Sequence, residues 1–91
     1  MIQRQYKIVS PEGLHARPAA QLVKTLSACP FPVQLFCHGK VVNAKSILQV
    51  LTVGAGSGDV LALHYDTGEL DRVLLLEQEL QELLTVDGEQ E

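Results

Sequence analysis

Gly13-Leu14-His15-Ala16-Arg17-Pro18-Ala19-Ala20 is the stretch from which the rest of the chain can be read. Its spacing places His15 as the last non-helical residue, the N-cap, with Ala16, Arg17 and Pro18 forming a first helical turn. Proline is tolerated there because first-turn N–H groups have no intrahelical acceptor. One local conflict is visible: the residue before a proline disfavours helical geometry, which argues for a strained or delayed start at Arg17. A helix start offers free N–H donors and a partial positive charge, together an anion site. Arg17 adds a permanent cation whose donor fork matches phosphate. A neutral imidazole at such a place is a nucleophile. Once modified, it would present phosphoryl oxygens to the backbone N–H groups of Ala16 and Arg17. The residues therefore describe a reversible phosphohistidine that needs no metal or cofactor. The plainer reading is that His15 only caps a helix and Arg17 is a solvated charge.

Moving outward from this stretch, residues 3–9 alternate Tyr6 and Ile8 with Gln5 and Lys7, the period of a strand. Ser10-Pro11-Glu12-Gly13 has turn composition and delivers His15 to the helix. Ala19, Leu22, Val23 and Leu26 recur at helical spacing, giving a helix over 16–27. Pro30 and Pro32 block its continuation. Val33–Cys37 and Lys40–Asn43 flank His38-Gly39 and form a hairpin. Ser46 precedes a short helix carrying Ile47, Val50, Leu51 and Val53, and Ser46 with Gln49 has capping-box spacing. Gly54–Gly58 is a loop. Val60–Tyr65 is a fourth strand, and 70–84 a last helix with Val73, Leu76, Leu80, Leu83 and Leu84 on its buried side. The order is βαββαβα, an α+β open sandwich of four strands with helices on one side. Residues 1–91 read as one domain, with 86–91 a frayed polar tail.

With 91 residues and a net charge of −4, a general nucleic-acid role is disfavoured. No apolar run reaches the length of a membrane span, and the N-terminus lacks a signal-peptide core. Cys29 and Cys37 form no CxxC motif or disulfide framework, so a cytoplasmic protein with free thiols is expected. Both read as small apolar fillers, and His38 and His64 as turn and strand residues. No His/Cys spacing resembles a zinc site. The glycine loop lacks a Walker lysine and reads as a connector bringing backbone groups near His15.

The stretch Gly13–Ala20 resembles the active-site motif of the HPr family, histidine phosphocarriers of the bacterial sugar phosphotransferase system. Ala44-Lys45-Ser46-Ile47-Leu48 is similar to that family's regulatory serine segment, and the likeness runs from Gln3 to about Leu84. The resemblance implies an antiparallel sheet covered on one face by three helices. It implies that His15 accepts a phosphoryl group on Nδ1 from phospho-enzyme I and passes it to enzyme II A domains. Arg17 would compensate the phosphate charge, and no cofactor would be needed. Such a carrier is a relay member, not an enzyme with turnover of its own, and inserts in no membrane. Ser46 has two readings, a helix cap and a regulatory phosphosite. The second implies a serine kinase or phosphorylase and a transcriptional regulator as further partners. Ala20, Ile47, Leu48, Gln49, Leu51 and Thr52 would form the docking face, although Ile47 and Leu51 also suit a core. Ser27 and Gln49 are uncharged where relatives often carry basic residues, which weakens steering toward acidic partners. Two competing functions stand beside the carrier: a regulatory protein of the nitrogen-type branch or acting through Ser46, and a plain interaction domain.

Overall fold

The alternation of buried and exposed residues along each strand decides which sheet face receives the helices. In the computed structural model, which describes residues 1–87, the elements run in the order β1 (Ile2–Ile8), α1 (Ala16–Ser27), β2 (Val33–Cys37), β3 (Lys40–Asn43), α2 (Ile47–Thr52), β4 (Val60–Tyr65), α3 (Leu70–Glu79) and β5 (Leu84–Val86). The sheet order is β3-β2-β4-β1-β5, and every paired neighbour is antiparallel. β4 therefore lies between β1 and β2, and β2 between β3 and β4. Two β-α-β units, each with a strand of the other inserted, interleave.

Register follows the pattern of side chains. Tyr6 lies opposite Leu61 and Leu35 opposite Leu63, so buried residues face buried residues across the sheet. Tyr6, Ile8, Val33, Leu35, Leu61, Leu63 and Tyr65 point at the helices. Against them pack Leu22 and Leu26 of α1, Val50 of α2 and Val73 and Leu76 of α3. The other face carries Gln3, Gln5, Lys7 and Gln34, with Phe36 stacked on His64 at 3.9 Å between centroids.

Three expectations need correction. The last helix does not reach residue 84; it ends at Glu79, with Leu80 as its C-cap. The N–H of Leu83 and that of Leu84 both reach the Leu80 carbonyl, at 2.9 and 2.8 Å, and the chain turns back. Leu80, Leu83 and Leu84 are buried as the apolar period requires. Burial alone did not say that Leu84 sits on a strand. The open edge of β1 accounts for it, since its unpaired backbone groups are met by β5. Tyr6 pairs with Val86 and Ile8 with Leu84, while the Val9 N–H donates to the Leu83 carbonyl at 2.8 Å. The sheet thus has five strands, not four. Val86 is part of β5 rather than of a frayed tail, and the Asp87 N–H donates to the Gln5 carbonyl at 2.9 Å. Residues 88–91 of the expected tail lie outside the described residues.

The capping box at Ser46 is also only half made. The Gln49 N–H donates to Ser46 Oγ at 3.3 Å, but Gln49 Oε1 turns away to accept from the Asn43 N–H at 2.8 Å. The Ser46 N–H is instead satisfied by the Asn43 carbonyl at 3.1 Å, a turn that leaves the glutamine free for the strand end.

Candidate functional site

The path from β1 to α1 is short and held at both ends. After Ile8 the chain leaves the sheet, and Ser10 is buried, with its N–H on the Leu83 carbonyl at 3.3 Å. The Gly13 N–H closes a turn onto the Ser10 carbonyl at 2.9 Å. Gly13 has φ +64, and a Cβ there would lie 2.6 Å from the Ala55 carbonyl oxygen and 2.7 Å from Gly56 Cα. Only glycine fits this conformation and this contact. Leu14 is driven into the core, and its N–H donates to the Ala55 carbonyl at 3.0 Å. The glycine loop thus comes beside the residue before His15, the nearness expected of this connector, with Ala55 making the contact.

His15 is the N-cap of α1, with φ −84 and ψ −168, and its carbonyl accepts the Ala19 N–H at 2.8 Å. The pre-proline conflict at Arg17 does not delay the helix, which starts at Ala16. The imidazole makes no capping hydrogen bond, so the residue holds the cap position through its backbone alone. His15, Ala16 and Arg17 are exposed, whereas Pro18, Ala19, Leu22 and Leu26 bury the opposite side of the helix. The N–H groups of Ala16 and Arg17 belong to the first turn, where the helix itself provides no acceptor. An exposed imidazole, two such donors and a guanidinium are thus gathered at one helix end. Such a grouping at a helix start has the chemistry of an anion site.

The neighbouring surface is apolar. α2 lies against α1 and ends at Thr52, just before the loop whose Ala55 touches Leu14. Of its apolar residues Val50 is fully buried, but Ile47, Leu48 and Leu51 are 37, 75 and 39% exposed. The core reading of Ile47 and Leu51 is therefore set aside. Ala20, Gln49 and Thr52 are exposed as well. Ser46 is half-buried at the start of the helix. Of the basic residues nearby, Lys24 is exposed, and Lys45 donates through Nζ to the Cys29 carbonyl at 2.7 Å.

The other titratable residues lie elsewhere. His64 is stacked on the open sheet face. His38 sits at the hairpin tip with φ +53 and reaches Asp59 Oδ2 through Nε2 at 2.9 Å. Cys29 and Cys37 are buried and free, and burial pushes the Cys37 thiol up. Among the described residues no three His, Cys, Asp or Glu side chains gather in a way that could hold a metal ion. Two residues near the site escaped the sequence reading. Lys40 Nζ donates to the Thr52 carbonyl at 2.9 Å, a cation at the C-terminal end of α2 where the helix dipole favours it. Asp59 Oδ2 accepts the Gly56 N–H at 2.8 Å and ties the glycine loop. This bond, with a smaller share from His38, holds the Asp59 carboxyl below the usual carboxylate range. Its position right after a glycine run was the one available signal.

Comparison with known proteins agrees with this geometry. The family model for the PTS HPr component phosphorylation site matches residues 2–88. The phosphocarrier protein HPr of Buchnera aphidicola is 43% identical over 63 residues, 69% of this chain and 74% of that protein. The HPr-C-His protein of Thermoanaerobacter tengcongensis superposes with a TM-score of 0.76 at 32% identity, covering 90% of this chain and 98% of the other. The phosphocarrier protein HPr of Bacillus anthracis gives a TM-score of 0.78 at 26% identity, covering 90 and 95%. By the family match along 2–88, by its curated relative and by its fold, the chain belongs to the HPr family, the phosphocarrier proteins of the phosphotransferase system.

Proposed function

We propose that His15 is the residue that carries the phosphoryl group, through Nδ1, between phospho-enzyme I and an enzyme II A domain in the cytoplasm. The observation that carries this reading is the state of the imidazole: it occupies an N-cap but is not used as a cap. A ring free of structural work, exposed beside first-turn donors, is available as a nucleophile. In the forward step the Nδ1 lone pair forms the N–P bond while the bond from phosphorus to the donor breaks. The ring proton resides on Nε2 during attack. The Ala16 and Arg17 N–H groups and the Arg17 guanidinium then face the phosphoryl oxygens, and these contacts strengthen as the charge arrives. The group leaves by the reverse displacement, so the protein ends each cycle unchanged and acts as a relay without turnover of its own. Ala20, Ile47, Leu48, Gln49, Leu51 and Thr52 form the face on which donor and acceptor dock in turn. Ile47, Leu48 and Leu51 show the exposed apolar character that interfaces have.

A second role is supported at Ser46, which borders that face. Phosphorylation there by a serine kinase would put a dianion where partners must dehydrate the surface, and would present a modified face to a regulator.

Labelling separates the assignments. Incubation with enzyme I and radiolabelled phosphoenolpyruvate should give one acid-labile phosphate per chain. His15→Ala should give none, and His38→Ala and His64→Ala should label fully. Full labelling of the His15→Ala variant would remove His15 from this role.

A further inference from the structure

The segment that meets the residue before His15 is the least rigid stretch of the chain by composition. Gly54, Gly56 and Gly58 lie within five residues, with φ +68 at Gly54 and +89 at Gly58. Such a segment has much backbone freedom to lose on ordering. Yet its Ala55 carbonyl must stand at one place, because it accepts the Leu14 N–H and abuts Gly13.

Backbone bonds secure the far end of this loop. The Gly58 N–H donates to the Ile8 carbonyl at 2.8 Å, and the Ile8 N–H to the Asp59 carbonyl at 2.8 Å. The near end is held by the burial of Ala55, by its bond from Leu14 and by one side chain. Asp59 Oδ2 accepts the Gly56 N–H at 2.8 Å, and the Asp59 N–H donates back to the Gly56 carbonyl at 3.1 Å. The carboxylate is itself steadied by His38 Nε2 at 2.9 Å, from a hairpin tip in the left-handed region. Contacts therefore run without a gap from His38 through Asp59 and Gly56 to Ala55, Leu14 and His15.

We propose that Asp59 is a positioning residue for phosphoryl transfer: by ordering the glycine loop it holds the Gly13-Leu14 backbone, and so the angle at which His15 enters α1. The proposal rests on the reading of His15 as phosphoryl acceptor. Asp59 touches neither the imidazole nor the first-turn donors in this scheme. It also lies outside the apolar face of α2, so its effect belongs in the rate of transfer within the docked pair and not in docking. A small displacement of a nucleophile is sufficient for a large loss of rate.

The test compares transfer from phospho-enzyme I in the full-length parent, Asp59→Ala and Asp59→Asn as a function of donor concentration. Melting curves and amide exchange at Leu14 accompany it. Asp59→Ala should lower the saturating rate about tenfold with KM unchanged. The Leu14 N–H, whose acceptor is no longer held, should exchange faster. Asp59→Asn keeps an oxygen that can accept the Gly56 N–H, and should recover most of the rate and of the Leu14 protection. An unchanged saturating rate in Asp59→Ala, or a loss confined to KM, would overturn the positioning role. So would failure of Asp59→Asn to recover a rate that Asp59→Ala loses. Absence of label from the parent would instead overturn the assignment of His15, a separate outcome.

Discussion

Arg17 stands exposed in the first turn of α1, two residues beyond the N-cap His15. Among the described residues its guanidinium forms no ion pair, and the buried side of α1 belongs to Pro18, Ala19, Leu22 and Leu26. In the proposed function its charge serves only the arriving phosphoryl group, and that asymmetry makes it testable. Arg17→Ala should slow phosphoryl transfer by about 100-fold, the scale seen when one donor to a developing anion is removed. The same change should move stability by no more than about 0.5 kcal/mol, as exposed charges do. Transfer kinetics beside a denaturant melt check this. Normal transfer with a large loss of stability would reverse the assignment and make Arg17 a structural residue. His15 has a related asymmetry, since its backbone does the capping and its ring is left for chemistry.

At the scale of an element, α2 combines a buried edge with the exposed edge proposed for docking. Six residues are too few to hold a helix alone, so its ends matter. Ser46 Oγ accepts the Gln49 N–H at one end, and Lys40 meets the Thr52 carbonyl at the other. Between them Val50 alone is fully buried, while Ile47, Leu48 and Leu51 face outward. Ser46→Ala should lose about 1 kcal/mol of stability, a typical value for an N-cap, and retain transfer. Ser46→Asp keeps an acceptor at the cap and should stay folded. It should accept phosphate from enzyme I more slowly through a raised KM, because a charge beside Ile47 and Leu48 must be dehydrated on docking. Rates measured against enzyme I concentration, with melting curves, distinguish these outcomes. Superimposable curves for the parent and Ser46→Asp would leave Ser46 as a cap only.

At the scale of the whole molecule, one polar cluster joins the sheet to the last helix. Arg4 donates from Nη2 to Glu77 Oε1 at 3.0 Å and from Nε to Glu77 Oε2. The Tyr6 hydroxyl donates to Glu77 Oε2 at 2.8 Å and lies 2.7 Å from the Tyr65 hydroxyl. β1, β4 and α3 are thereby linked beneath the helix layer. Burial drives both phenols well above the ordinary tyrosine range, and the bond to Glu77 holds the Arg4 cation more firmly. Arg4 therefore stays charged and both phenols stay protonated across the neutral range. Glu77→Leu should leave Arg4 and Tyr6 without their acceptor and cost about 3 kcal/mol. That corresponds to a fall in Tm of roughly 12–24 °C for a domain of this size. Arg4→Met combined with Glu77→Leu should recover most of the loss, since an apolar pair of similar volume avoids the unpaired charge. Thermal melts of the single and double variants test this, and a double variant no more stable than Glu77→Leu would show that the pair itself is stabilising.

These three scales differ in how much of them could be read from the chain. Local chemistry was legible at most positions, the half-made capping box at Ser46 excepted. Pro18 in a first turn placed α1 and its N-cap, and the apolar period identified Leu22, Leu26, Val73 and Leu76 as core. His38-Gly39 marked the hairpin, whose two residues take φ +53 and +73. Each of these follows from interactions within a few residues, which a linear pattern records. The end of α3 was not legible, because Leu83 and Leu84 continue the apolar period whether they are helical or extended. What decides is the open edge of β1, some seventy-five residues away in the chain. The exposure of Ile47 and Leu51 depended on how α2 is rotated over Val50, and periodicity over six residues cannot choose one face. Arg4, Tyr6, Tyr65 and Glu77 lie on three elements, and their meeting requires the order β3-β2-β4-β1-β5 to be in place. The same holds for Asp59 and His38, ordinary loop and turn residues until β2 and β4 pair and bring them within 2.9 Å. The sequence by itself determined the helix start, the imidazole on it and the residues that must be buried, because short-range sterics and solvation are written locally. The tertiary structure alone decided which apolar residues stay in water and which polar ones meet, because those depend on pairing between segments far apart in the chain.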